Sequence, residues 1–324
     1  MYSPIRIEAP AQVELPWGLQ WDDLRGAIPE LRLPLGVFRT HEIRGLHQSG
    51  RSQILLLRYE DRDGRQQART IFLKLGNPAR PEVAKYRYLL ERGAPVSPPL
   101  GTATTAAGEI MIFPFLPTIG TTAEEADDLL GLVAEINSIR DPAAELFRPP
   151  QGTPGYGERI REVLIDFLPT AEEARRWFDA YQEAIVAADA IPLALNHNEL
   201  SFQQVGWLDQ GPGDRRRLVV FDLETMSLRP LYTDLAGMLP SLANQTGRTE
   251  DDLFRSYLAK LAHRTDETTD QRLAWSRMRT LRIIRTFESL PWLITMAGTI
   301  GIETPQHAIA RLAGDLGDSR LGSF

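Results

Sequence analysis

Two carboxylates stand directly behind an apolar run in the second half of the chain. Asp222 follows the sequence LVVF, and Glu224 comes two residues later. An unpaired charge at the end of a buried strand is costly, so the Asp222 carboxylate needs a cation or other strong partner. Hard carboxylate oxygens are ligands that Mg²⁺ prefers. Asp222 is therefore a candidate metal ligand, and Glu224 either contacts the same ion or supports its ligands.

A lysine and a glutamate in the first hundred residues are a second candidate pair. Lys74 lies in the β-like run TIFLKL, and Glu82 opens the helical run EVAKYRYLLER. Taken singly, Lys74 could be a solvated edge-strand residue and Glu82 a partner of the helix dipole. A helix glutamate at this distance downstream favours instead a lysine that binds phosphate.

The segment 196–207, with the sequence NHNELSFQQVGW, carries Glu199 and Gln204. Alone, Glu199 could be a surface acid that caps a helix, and Gln204 a plain strand residue. Together with LVVFDLE and the later YTDLA, however, the segment resembles the aminoglycoside phosphotransferase and choline kinase-like family. That family has His-Gly-Asp, four residues and Asn, then a strand ending in Ile-Asp-Trp-Glu, and later Tyr-Asp-Leu-Ala.

The match can be followed residue by residue over about 44–236. In the catalytic loop His197 matches the family's His, Asn198 its Gly, Glu199 its catalytic Asp and Gln204 its Asn. Asp222 matches the metal-binding Asp, and YTDLA contains one residue more than the family's closing segment. The spacing inside the loop and inside the metal-binding strand is kept.

The resemblance implies an α+β, bilobal protein-kinase-like fold that uses ATP and Mg²⁺. Catalysis in such a fold comes from positioning and from neutralising phosphate charge. The implied catalytic residues are Glu199 and Asp222. The implied metal ligands are Gln204, Asp222 and Glu224. The implied nucleotide-binding residues are Lys74, Glu82, Ser49, Gly50, Phe113 and Phe115, with Ser49 and Gly50 in the phosphate loop and the two phenylalanines in the hinge.

Two positions depart from the family pattern. The usual Asp is Glu199 and the usual Asn is Gln204, so each side chain is one methylene longer. Both changes keep the charge and the hydrogen-bonding groups of the side chain, but they alter how far those groups extend from the backbone. A misplacement of about 1 Å in a catalytic group can cost on the order of 10²-fold in rate. Either the backbone compensates, or the site binds nucleotide and transfers slowly.

Periodicity and turn signals place these residues on elements. Residues 53–59 and 70–75 read as a hairpin around the Asp63-Gly64 turn, 82–92 as a helix and 109–116 as a strand. Helices are expected from capping boxes at Thr122 and Thr170, and again after Thr233. We therefore expect an N-terminal extension (1–36), a nucleotide-binding N-lobe (37–117) and a helical C-lobe (118–324) that carries the catalytic loop and the acceptor site.

Composition limits the remaining choices. The chain has 324 residues, a formal charge of -7 and no cysteine, so disulfides, thiolate nucleophiles and cysteine-bound zinc are excluded. A net negative charge disfavours nucleic acid and anionic membranes as partners. The first residues lack a secretory signal pattern, and a cytoplasmic location is expected.

The sequence leaves three functional hypotheses. The first is a phosphotransferase that moves the γ-phosphate of ATP to a hydroxyl of a small molecule such as an antibiotic, an amino alcohol or a sugar. The second is a pseudokinase that binds nucleotide or a protein partner without efficient transfer, as the changes at Glu199 and Gln204 suggest. The third is a kinase of Ser or Thr in a peptide.

Overall fold

The structure, a computed structural model, describes residues 14–39, 50–116, 122–149, 156–209, 216–266, 270–295 and 304–317. By its internal contacts the chain divides into two compact units. The first unit comprises Met1–Gly120 and Leu200–Thr225, and the second comprises Thr121–Glu199 and Met226–Phe324. The units interleave along the chain, and the strands around Asp222 belong to the first of them.

Strands and helices follow the order that the sequence predicts in outline. The strands are β1 (Leu33–Arg39), β2 (Ser52–Glu60), β3 (Gln66–Leu75), β4 (Gly101–Thr105), β5 (Gly108–Pro114), β6 (Leu193–Asn196), β7 (Val205–Asp209), β8 (Arg216–Val220) and β9 (Ser227–Pro230). The helices are α1 (Trp21–Ala27), α2 (Glu82–Glu91), α3 (Ala123–Asn137), α4 (Tyr156–Phe167), α5 (Ala171–Ala188), α6 (Thr233–Thr246), α7 (Glu250–Thr265), α8 (Gln271–Thr295) and α9 (Pro305–Asp315).

The first unit contains an antiparallel sheet with the order β1-β2-β3-β5-β4. The predicted hairpin is confirmed: β2 and β3 pair along their whole length, and Gly64 has φ +78° in the turn between them. Only glycine adopts that φ at little cost, which explains the turn signal. The sequence does not predict β1 and β4, because Pro and Gly interrupt the first and the second lacks an apolar run.

The segment before the sheet belongs to the same hydrophobic core. Leu19, Leu24 and Ile28 are buried in one cluster with Leu57 of β2 and Ile71 of β3. The described part of the predicted N-terminal extension therefore packs on the sheet of the first unit. Burial of apolar side chains of this size contributes about 1.5–3 kcal/mol each.

The second unit is mostly helical; two of its helices begin at the predicted capping residues, whereas α4 and α9 were not predicted. The Thr122 hydroxyl accepts the N–H of Glu125, and the Thr170 hydroxyl accepts the N–H of Glu173, each at 3.2 Å. Such caps satisfy N–H groups that the first turn of a helix leaves without a partner. Within the described parts of the chain, the helices are too short or too polar to cross a bilayer.

Candidate functional site

The strand β3 presents Phe72 and Lys74 on one face of the sheet, because side chains two residues apart on a strand point the same way. Across the ladder Phe72 pairs with Phe113 of β5, and Lys74 pairs with Met111. The rings of Phe72 and Phe113 are 6.3 Å apart between centroids. The sheet thus positions an amine and an aromatic pair side by side.

Lys74 lies at the centre of an ionic cluster in the first unit. Its Nζ is 2.7 Å from Glu82 Oε2, 2.5 Å from Asp222 Oδ1 and 3.6 Å from Glu224 Oε2. The Lys74 residue is only 6% exposed. Burial by itself lowers the pKa of Lys74, but the carboxylates of Glu82 and Asp222 outweigh burial and raise that pKa above its ordinary value. Lys74 is therefore held as a cation.

The helix α2 fixes the backbone that follows β8. Glu82 Oε1 accepts the N–H of Leu223 at 2.9 Å. Lys85 Nζ donates to the carbonyls of Leu223 and Glu224 at 3.1 and 3.0 Å. Burial is the main cause that lowers the pKa of Lys85 to about 8. A neutral lysine amine still donates two hydrogen bonds, so both carbonyls keep their donor in either protonation state.

A third residue of α2 holds Asp222 itself. The Tyr86 hydroxyl accepts the N–H of Asp222 at 2.9 Å, and the Tyr86 ring packs against Phe113 at 4.9 Å. Asp222 has φ +64°, in the left-handed region that Asp and Asn enter more readily than most residues. This conformation turns the chain at the end of the strand and places the Asp222 carboxylate beside Lys74.

The carboxylates in this cluster suit a hard divalent cation. Ligand oxygens of Glu82, Asp222 and Glu224 all lie within 4.8 Å of one another. The Asp222 side chain is 40% exposed, whereas that of Glu82 is fully buried and already paired with Lys74. Asp222 and Glu224 are thus the accessible members, and their oxygen donors match the preference of Mg²⁺.

Gln204 lies in a short 3-10 turn (Phe202–Gln204) directly before β7. Its carbonyl accepts the N–H of Phe221 at 2.9 Å, which brings it next to the strand end that carries Asp222. Its side-chain Oε1 accepts a hydrogen bond from the Ser201 hydroxyl. The predicted amide ligand is therefore close to the cluster in the fold, with its oxygen engaged by a neighbour.

An apolar pocket lies on the same unit. Its lining is almost entirely carbon, formed by Phe72, Ser97, Phe113, Pro114, Phe115, Leu116 and Phe221. The predicted hinge residues Phe113 and Phe115 therefore line one cavity. Ser97 is 1% exposed, and its hydroxyl has no hydrogen-bond partner among the described residues. An apolar pocket lined by aromatic side chains suits an aromatic ring.

Of the two predicted phosphate-loop residues, the structure describes only one. Ser49 lies outside the described residues. Gly50 lies immediately before Arg51 and β2, and its carbonyl accepts a hydrogen bond from the Trp17 indole at 3.1 Å. The prediction that these residues bind phosphate stays a prediction.

The loop with Glu199 is built within the second unit, where β6 pairs with β9. Asn198 has φ +73°, in the left-handed region that glycine and asparagine enter more readily than most residues. Asp234 accepts the N–H groups of His197 and Asn198, each at 2.7 Å, and acts as a structural support for the loop. Glu199 is exposed.

Several residues of the cluster were missing from the sequence-based prediction. Lys85 and Tyr86 stand three and four residues after Glu82, so helical periodicity places all three on one face. That spacing could have identified them. Arg51 directly follows the predicted phosphate-loop residues Ser49 and Gly50. No sequence signal marks Asn77 and Arg80, because separate segments of chain bring all three donors to Glu224.

No family model and no curated protein matches this chain. Solved structures do. A choline kinase from Streptococcus pneumoniae is 16% identical, with 93% of this chain and 98% of that chain covered and a TM-score of 0.52. An aminoglycoside phosphotransferase from Alicyclobacillus acidocaldarius is 12% identical, with 97% and 96% covered and a TM-score of 0.50.

A third structure is an amicoumacin kinase in complex with AMP-PNP, Ca²⁺ and Ami. It is 11% identical, with 91% of each chain covered and a TM-score of 0.54. Likeness over nine tenths of each chain at such low identity concerns the fold. This chain therefore has the bilobal, protein-kinase-like α+β fold of choline kinases and aminoglycoside phosphotransferases.

Proposed function

We propose that this protein is a phosphotransferase that moves the γ-phosphate of ATP to a hydroxyl group of a small molecule, with Mg²⁺ as its metal. One observation carries the proposal: the buried amine of Lys74 lies between Glu82 at 2.7 Å and Asp222 at 2.5 Å. A lysine fixed by a helix glutamate beside a metal-binding aspartate is the arrangement that phosphoryl transfer needs.

The cluster supplies a binding group for each charge of a metal–nucleotide complex. Lys74 would bind phosphate oxygens, while Asp222, Glu224 and Gln204 would hold the metal. When bound, the metal neutralises negative charge on the phosphates. Glu82 keeps Lys74 extended, so the amine reaches the phosphates without further ordering.

The apolar pocket would bind the base. Phe113 and Phe115 line it from β5 and the residues just after that strand. Because Phe72 and Lys74 share one face of β3, a base in the pocket and a phosphate at Lys74 can belong to one nucleotide. The AMP-PNP complex of the amicoumacin kinase, which has the same fold, supports this assignment.

Glu199 would accept a hydrogen bond from the acceptor hydroxyl and orient it towards the γ-phosphate. Asp234 supports the loop that carries Glu199, because its carboxylate accepts two backbone N–H groups of this loop at 2.7 Å. An exposed carboxylate on a supported loop can meet an acceptor that arrives from solvent.

The test is isothermal titration with Mg²⁺–ATP followed by measurement of ATP turnover against a library of hydroxyl compounds. We expect Lys74→Met and Asp222→Asn to abolish detectable turnover. Glu199→Gln should keep nucleotide affinity within about twofold and lower turnover by about 10²-fold or more. Arg69→Gln, which removes an ion pair with Glu30 on the same sheet, is the control. Failure of the wild type to bind any nucleotide would refute the proposal.

A second candidate is a nucleotide-binding protein that transfers slowly. It is favoured by Gln204, whose Oε1 accepts a hydrogen bond from Ser201 and so has one acceptor lone pair fewer for a metal. The titration separates the two functions. Affinity for Mg²⁺–ATP that depends on Lys74, together with turnover that neither Asp222→Asn nor Glu199→Gln reduces, would favour the second candidate.

A further inference from the structure

The carboxylate of Glu224 is surrounded by donors from several segments of the first unit. Its Oε1 lies 3.0 Å from Asn77 Nδ2, 3.4 Å from Arg80 Nη1 and 3.5 Å from Arg51 Nη1. Its Oε2 lies 3.6 Å from Lys74 Nζ. Burial would raise the pKa of Glu224, but the Asn77 hydrogen bond and these cations lower it below its ordinary value. Glu224 thus faces three cations, of which Lys74 is also paired with Glu82 and Asp222, while Arg51 and Arg80 face Glu224.

The donors come from three stretches of backbone. Arg51 immediately precedes β2, and its Nη2 donates to the carbonyl of Leu75 at 3.0 Å, which orients the guanidinium. Asn77 follows β3, and Arg80 lies just before α2. The side chains of Arg51 and Arg80 are 37% and 40% exposed. The group is therefore held in place and can still be reached from solvent.

The distances show that a carboxylate fits this group loosely. Charge-assisted hydrogen bonds between nitrogen and oxygen are normally about 2.7–2.9 Å long. The three ionic contacts of Glu224 measure 3.4, 3.5 and 3.6 Å. An anion with more oxygens and more charge could approach each donor more closely. Phosphate has both properties, and the planar fork of arginine suits it.

We propose that Arg51, Asn77 and Arg80 form a phosphate-binding cluster for the outer phosphates of a nucleoside triphosphate, and that Glu224 neutralises this cluster while no nucleotide is bound. The inference rests on the proposed function, because the same Lys74 contacts both Glu224 and Asp222. It adds three binding residues and assigns Glu224 a second role as an internal competitor of the phosphates.

A consequence is that phosphate binding and metal binding support each other. Glu224 and Asp222 have ligand oxygens within 4.8 Å. When phosphate oxygens replace the Glu224 carboxylate at the two arginines, that carboxylate stays beside Asp222 and can bind a divalent cation. The cation in turn reduces the tendency of Glu224 to return to the arginines. Each ligand should therefore raise the affinity for the other.

The test is isothermal titration of the full chain with ATP, ADP and AMP, each with and without Mg²⁺. Arg51→Gln and Arg80→Gln should each weaken ATP binding by about tenfold, since a hydrogen bond to a charged group is lost. AMP affinity should change by less than about twofold, because AMP lacks the outer phosphates. The matched control is Arg69→Gln, which removes an arginine of similar exposure (31%) from an ion pair elsewhere on the sheet.

Glu224→Gln provides a result of opposite sign that poor folding cannot imitate. Removal of the competing charge should strengthen metal-free ATP binding severalfold and reduce the gain that Mg²⁺ brings. The proposed phosphate-binding cluster is refuted if Arg51→Gln and Arg80→Gln bind ATP as tightly as the Arg69→Gln control. It is also refuted if Glu224→Gln weakens the binding of ATP in the absence of metal. If wild type binds ATP through Lys74 in those experiments, the proposed function stands without the cluster. A wild type that binds no nucleotide rejects both.

Discussion

Replacing Lys74 by Met should destabilise the first unit, because it leaves a carboxylate buried without its cation. Lys74 is 6% exposed and Glu82 is 2% exposed, so solvent cannot take over the lost interaction. Removing one partner of a buried ion pair costs about 3–5 kcal/mol. Methionine keeps most of the side-chain volume, so the cost is electrostatic rather than a cavity.

The double-mutant cycle with Glu82→Gln isolates that charge. Glu82→Gln alone should cost less, about 1–2 kcal/mol, because Lys74 keeps Asp222 at 2.5 Å and the amide oxygen can still accept the N–H of Leu223. In the double variant neither side chain of this buried pair carries a charge. Its cost should fall below the sum of the two single costs by about 2 kcal/mol.

Urea unfolding, followed by circular dichroism and tryptophan fluorescence, measures the free energies of unfolding of the wild type, the two single variants and the double variant. The pH dependence adds a check, since burial raises the pKa of Glu82 above its unfolded value. Without Lys74 that pKa rises further, so protonation relieves the penalty as pH falls towards the unfolded pKa. The deficit of Lys74→Met should be smaller at about pH 5 than at about pH 8. Single costs that add within about 0.5 kcal/mol would refute the reasoning.

Three further predictions concern single side chains. Lys85→Met removes the donor of two backbone carbonyls at 3.0 and 3.1 Å and should lower the free energy of unfolding by about 1–3 kcal/mol. Because the folded pKa of Lys85 is about 8, below its unfolded value, the stability difference between wild type and variant should increase between about pH 8 and 10. A difference that does not change with pH would contradict this. Ser97→Ala should raise the free energy of unfolding by about 1 kcal/mol in urea titrations, because a buried hydroxyl without a described partner disappears, and a loss of stability would show that the hydroxyl has a structural role. Asp234→Asn should lower that free energy by about 2 kcal/mol in thermal or urea unfolding, because His197 N–H and Asn198 N–H donate to different oxygens of Asp234 and Asn replaces one of these oxygens by an NH₂ donor. Stability equal to wild type would contradict the proposed support.

The sequence predicts much of the local structure for identifiable reasons. The β2–β3 hairpin is confirmed because apolar runs flank an Asp-Gly turn, and Gly64 adopts the positive φ that such a turn requires. The helix starts at Thr122 and Thr170 are confirmed because a hydroxyl three residues before an acid caps its own helix. These features depend on neighbours within a few residues. β4 was missed because its residues gain stability only by pairing with β5.

Some residues of the candidate site could likewise be predicted from the sequence, whereas others could not. The resemblance of their segments to the aminoglycoside phosphotransferase pattern selected Lys74, Glu82 and Asp222. For Asp222 the cost of an unpaired charge behind an apolar run gave a second reason. The same resemblance selected Phe113 and Phe115 as hinge residues, and they line one pocket.

Only the tertiary structure decided what surrounds those residues. The contacts of Glu224 with Arg51 and Arg80 join positions 173 and 144 residues apart (224 − 51 and 224 − 80), and no local pattern encodes a contact of that separation. Sequence fixes which charges exist and which face of a strand or helix presents them. The packing of α2 against the segment after β8 determines which of those charges meet, because hydrogen bonds and ion pairs act over a few ångströms only.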